Sequence, residues 1–84
     1  MSASFSLDTL PVGECALIER IHGEDSMSLR LHELGFGENS RVTCLFPSIL
    51  GDPRAYRIKR TIIALRNSDA KRVICHQVKE WKNK

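Results

Sequence analysis

Apolar residues alternate with polar ones in several short stretches, and each such stretch predicts a β-strand. In residues 14–22, Ala16 and Ile18 alternate with Cys15, Leu17 and Glu19, Ile21 follows, and Gly23 ends the run. In residues 41–46, Val42, Cys44 and Phe46 share one face, expected to be the core face, while Arg41 and Thr43 take the other. Residues 55–59 and 61–66 read as a hairpin: Tyr56 and Ile58 alternate with Arg57 and Lys59, and Ile63 and Leu65 alternate with Ile62, Ala64 and Arg66. The join near Arg60 lacks the glycine that two-residue hairpin turns prefer. Residues 73–77 form a last strand.

One stretch has a different period. Met27, Leu31 and Leu34 stand at i, i+4 and i+7, the stripe of a short helix, with Ser28, Arg30, His32 and Glu33 off it. Glu24, Asp25 and Ser26 offer oxygens for its N-cap, and Gly35 stands where a left-handed terminating residue belongs. Residues 5–13 read as an extended lead-in, 37–40 as a turn with Asn39 at positive φ, 47–53 as a loop, 67–70 as one helical turn and 78–84 as a frayed tail. The pattern predicts a mainly β fold: about five short strands with one short helix after the first. That is a small, partly open β-barrel of the SH3-like or OB kind, and the early position of the helix favours SH3-like.

A chain of 84 residues makes one small domain, with the core expected over residues 7–77. The longest apolar runs, at residues 15–18 and 62–65, hold four residues each. A membrane helix needs about 20. Residues 1–12 have neither a basic start nor an apolar stretch of signal-peptide type, so a cytoplasmic location is expected.

Charge is divided unevenly. Residues 1–53 carry three arginines against eight carboxylates, net −5, whereas residues 54–84 carry ten Lys or Arg against two carboxylates, net +8. A basic block of this kind suits an acidic protein partner, an anionic surface or nucleic acid. Base stacking would call on exposed aromatics, for which Tyr56 and Trp81 are the candidates, but no regular basic and aromatic interleaving occurs, so nucleic-acid binding is not expected.

Motifs for chemistry are absent. The sequence holds no phosphate-binding GxxxxGK[ST] or GxGxxG pattern and no HExxH. Cys15, Cys44 and Cys75 form no CxxC pair and lie in apolar, strand-like surroundings, as core thiols do. Cys75 and His76 adjoin on a strand and point to opposite faces, so together they cannot chelate one ion unaided. His32 and Glu33 diverge by about 100° on a helix. No enzyme activity, cofactor or metal centre is expected beyond weak binding of a divalent metal.

The ordered set of Leu7, Leu10 and Gly13, Ala16 and Ile18, Arg30 and Leu31 leading into Glu33, Leu34, Gly35 and Phe36, then Val42, Gly51, Asp52 and Pro53, and Ile63 to Arg66 with Ala70 resembles the FeoA-type ferrous iron transport accessory proteins over about residues 7–76. It departs from the usual family pattern at Glu38 and Asn39, where Pro-Gly is common, and at Arg60, where glycine is frequent. The resemblance implies a cytosolic SH3-like domain that takes part in bacterial Fe(II) uptake by contacting the cytosolic GTPase region of the FeoB permease and modulating transport. The fold also resembles the C-terminal domain of metal-dependent repressors of the diphtheria toxin repressor type. Arg30, Glu33, Arg57, Lys59 and Arg60 are the candidate partner-contact residues. Two alternatives stand beside this reading: direct metal binding, as an iron chaperone or sensor using His76 or Cys75, and a small basic nucleic-acid-binding barrel. Edge strands also leave weak pairing with a second copy open.

Overall fold

In the computed structural model, which describes residues 3–47 and 51–77, the alternating stretches become strands of a single antiparallel sheet. In chain order the elements are β1 (Ser4–Ser6), a 3₁₀ turn (Leu7–Thr9), β2 (Cys15–Ile21), α1 (Ser26–Glu33), β3 (Arg41–Pro47), β4 (Arg54–Ile58), β5 (Thr61–Leu65), α2 (Asn67–Ala70) and β6 (Val73–Gln77). Their order across the sheet is β1-β6-β2-β3-β4-β5. The architecture is the expected mainly β, SH3-like one, with six strands in place of about five.

The additional strand is β1. Its three residues carry one apolar side chain, too few to show an alternation, and their strand conformation comes from pairing with β6 through Ser4↔His76, Phe5↔Cys75 and Ser6↔Ile74. The expected extended lead-in is therefore a strand followed by a 3₁₀ turn that buries Leu7, with Leu10 buried just beyond it. In the interior of the sheet, β3 continues through Pro47, so residue 47, expected in the loop, belongs to a strand. The expected tail, 78–84, and Trp81 with it, lie outside the described residues.

The helix is capped as its sequence predicts. Asp25 is the N-cap, its Oδ1 accepting the Ser28 N–H at 3.3 Å. At the other end Gly35 takes φ 109, the Gly35 N–H donates to His32 O at 3.1 Å and the Phe36 N–H donates to Leu31 O at 3.0 Å. This pair of bonds is a Schellman termination, in which the residue after the glycine meets the residue five before it. Its result is a correction to the expected stripe. Leu31 and Phe36 are fully buried together, while Leu34, at the cap, is 39% exposed. The off-stripe Ser28 is buried as well, its hydroxyl donating to His22 O at 2.9 Å.

Phe46 is the second correction, since it lies on the outer face and is 58% exposed. The register runs Cys44↔Tyr56 and then Phe46↔Ala55, so β3 has one residue more than β4 over this interval. Such a bulge reverses the inward and outward alternation beyond it. Tyr56, Ile58, Val42, Cys44, Ile18, Val73 and Cys75 fill the interior instead. Arg54, counted with the basic half of the sequence, also turns inward: its guanidinium donates to Asp8 O at 2.6 Å and to Leu10 O, and it stands 5.7 Å from the Tyr56 ring centre. It pins the 3₁₀ turn to β4.

Candidate docking surface

Two turns and two strands build a basic groove on the outer face of the sheet. The turn at residues 37–40 is held against β2 through both backbone groups of Ile18, whose N–H donates to Ser40 O at 2.9 Å and whose carbonyl accepts the Asn39 N–H at 2.8 Å. Asn39 takes φ 69, a left-handed conformation that asparagine adopts more readily than most residues. This turn delivers Arg41 and Thr43 to the outer face of β3, and Thr43 lies directly across from Arg57 of β4. The β4–β5 hairpin closes with two residues, Lys59 and Arg60, and Lys59 takes φ 55. The missing turn glycine is thus met by a lysine in the left-handed region, which costs about 1–2 kcal/mol.

Asn39, Ser40, Arg41, Thr43, Arg57 and Lys59 line the resulting open groove of about 490 Å³. Three cations and three side chains with oxygens face it, with no carboxylate among them. From residue 39 to residue 68 the sequence has one carboxylate, Asp52, and its Oδ1 accepts the Asn67 N–H at 2.8 Å. The groove is therefore built to favour negatively charged groups.

Of the five contact residues named from sequence, the structure places Arg57 and Lys59 in this groove, and Arg60 is exposed beside Lys59 on the same hairpin. Arg30 and Glu33 are exposed on α1 and do not line it. Arg41 was missed. Its outward position was visible in the alternation, but its approach to Arg57 and Lys59 follows from the β3–β4 pairing, which no local pattern encodes.

The residues considered for metal or base contact sit elsewhere. Cys44 and Cys75 are buried and Cys15 is half-buried, and all three are free thiols. Burial, with the charge of Glu19 adding to it, pushes the Cys75 thiol up to about 12, so it stays protonated at neutral pH. His76 lies on the opposite face of β6, and its Nε2 is buried with no hydrogen-bond partner among the described residues. Also among the described residues, no three His, Cys, Asp or Glu side chains gather so that they could hold a metal ion. Tyr56 is fully buried and cannot stack a base, which corrects its candidacy from sequence. No helix among the described residues is long and apolar enough to cross a membrane.

No curated protein matches the chain. Solved structures do. FeoA of Stenotrophomonas maltophilia, crystallised with zinc and described as a prokaryotic SH3 domain protein, is 33% identical, with 84% of this chain and 88% of that one covered and a TM-score of 0.77. A FeoA-like protein of Clostridium acetobutylicum is 19% identical, with 100% and 98% covered and a TM-score of 0.86. A manganese-dependent transcriptional repressor shares the fold at 16% identity and a TM-score of 0.81, this chain matching 44% of its length. The FeoA domain model matches residues 5–77, nearly the whole of the described structure, and the chain belongs to the FeoA domain family.

Proposed function

We propose that this protein is a cytoplasmic, non-catalytic accessory of bacterial ferrous iron uptake, which docks on the cytosolic GTPase region of a FeoB-type permease and modulates transport. Family membership supports the iron-uptake context, and the relative from S. maltophilia has been put forward as a ferrous iron transport activating factor. The observation that carries the docking reading is the groove in which Arg41, Arg57 and Lys59 come together on one sheet face, with no carboxylate among its described lining residues. Such a surface steers an acidic partner and sets the salt dependence of its capture. Arg60 extends the positive field along the hairpin, and Arg30 and Glu33 remain candidate contacts on α1.

The test is a titration of the isolated GTPase region with the wild-type protein and with Arg57→Glu and Lys59→Glu, at low and moderate salt. Saturable binding that weakens with salt and with each charge reversal is expected. Binding that ignores both would overturn the reading.

Direct metal binding is a second reading, favoured by the zinc complex of the S. maltophilia relative. Anaerobic titration with Fe(II) separates the two. Saturable binding tighter than about micromolar, lost on His76→Ala, would establish it.

A further inference from the structure

The outer edge of the sheet carries an unusual combination. In the order of strands β5 is terminal, so one side of it pairs with no further strand among the described residues. The two-residue hairpin makes Ile58↔Thr61 a hydrogen-bonded pair, and by the alternation of antiparallel ladders Arg57↔Ile62 and Ala55↔Ala64 are the non-hydrogen-bonded pairs. Ile62 and Ala64 therefore direct their backbone N–H and C=O groups away from β4, toward the open edge.

The same two residues show apolar side chains on the outer face. Ile62 is 58% exposed, and Ala64 is exposed across from Ala55, which in turn lies across from the bulge-displaced Phe46. A shelf of Phe46, Ala55, Ala64 and Ile62 thus borders the free edge. Arg57 joins this shelf to the basic groove, being the cross-strand neighbour of Thr43 on one side and Ile62 on the other. At the two ends of β5, on either side of the apolar centre, stand the exposed Arg60 and Arg66. They stand six positions apart, about 20 Å in a strand.

We propose that β5 receives an extended segment of the partner as an added strand, about seven residues long, apolar at its centre and acidic at both ends. This rests on the docking reading above and names its recognition mode. Backbone pairing to Ile62 and Ala64 supplies the framework, as in other strand additions. Apolar side chains of the segment cover the shelf, and its terminal carboxylates meet Arg60 and Arg66. Charge decides against a second copy of this chain. Twofold antiparallel pairing of β5 with itself about Ile63 would set Arg60 of each copy against Arg66 of the other, and directly opposed like charges destabilise a pair of strands.

The probe is the blocked peptide Glu-Thr-Val-Thr-Val-Thr-Glu, titrated into ¹⁵N-labelled protein, with the lysine-ended peptide as its counterpart. Amide exchange should slow at Ile62 and Ala64, and the acidic-ended peptide should bind roughly tenfold or more tightly than the lysine-ended one. Ala64→Pro removes an outward-facing donor, a substitution that edge strands tolerate, and Ile62→Glu removes the exposed apolar side chain without touching the core. Each should weaken the peptide roughly tenfold or more. Equal binding of the two peptides, shifts confined to other strands, unchanged affinity in both variants, or a wild-type dimer joined at β5 would each overturn the proposal. Both variants are then tested against the GTPase region. If that region binds wild type and both variants equally, strand addition falls while docking stands. If it does not bind wild type, the docking reading falls and the peptide titration alone decides the edge.

Discussion

Lys59 is a groove cation and a strained hairpin residue at once, so its replacement separates function from stability. In Lys59→Gly the φ of 55 becomes unstrained. Relief of a left-handed non-glycine residue is worth about 1–2 kcal/mol, and the added freedom of glycine in the unfolded chain takes back about 0.5–1 kcal/mol. The difference is a net stabilisation centred on about 0.75 kcal/mol. For a domain of 84 residues that raises Tm by about 3–6 °C, since 1 kcal/mol corresponds to about 4–8 °C at this size. Partner binding should move the other way. Loss of one exposed charge interaction costs about 0.2–1 kcal/mol, or about 1.4- to 5-fold in affinity, with most of the change in association rate and a shallower salt dependence. Lys59→Asn, which keeps a residue tolerant of positive φ but lacks the charge, should match the glycine variant in binding. Thermal melts followed by circular dichroism and stopped-flow association with the GTPase region measure the two effects. A glycine variant that melts lower than wild type would refute the strain argument, and one that binds at the wild-type rate and salt dependence would remove Lys59 from the docking surface.

Three further outcomes are expected. The phenylalanines at 36 and 46 should behave oppositely: Phe36→Ala should cost about 3–5 kcal/mol in urea unfolding, the usual range for a buried ring, whereas Phe46→Ser, on the exposed side of the bulge, should change stability by less than about 0.5 kcal/mol. Hydrogen bonds from Arg72 at 2.7 Å and from the Ser28 N–H hold the Asp25 carboxyl below its ordinary value of 3.8. Because the folded value is the lower one, this contribution is complete above 3.8 and fades as pH falls through the folded value, so Asp25→Asn should flatten the acid limb of stability against pH while wild type retains it. With a disulfide-exchange reagent at pH 8, Cys15 should react first and Cys75, its thiol pushed up to about 12, should stay unreacted until the protein unfolds; fast labelling of Cys75 in the native protein would contradict its burial.

Elements whose signals are local were legible from the sequence. The Asp25 cap, the Gly35 and Asn39 conformations, the helical turn α2 and strand β6 all follow from side chains acting on their own or adjacent backbone. The helix stripe was legible in part. Periodicity identified Met27 and Leu31, but the Schellman turn substitutes Phe36 for Leu34 in the core by reversing the chain after the last helical residue. Strand β1 escaped notice because three residues with one apolar side chain carry no periodic information, and β6 supplies their partner.

The candidate surface divides along the same line. That the second half of the chain is basic, and that Arg41, Arg57 and Ile62 point away from the core, is written in composition and two-residue alternation. Tertiary structure alone decided which of these residues meet. It gathered Arg41, Arg57 and Lys59 around one groove, turned Arg54 inward to bind the 3₁₀ turn, carried Phe46 outward through a one-residue bulge and left β5 at the edge. Alternation sets the side of a strand on which a residue stands, whereas register, bulges and strand order are settled by pairing between segments far apart in the chain.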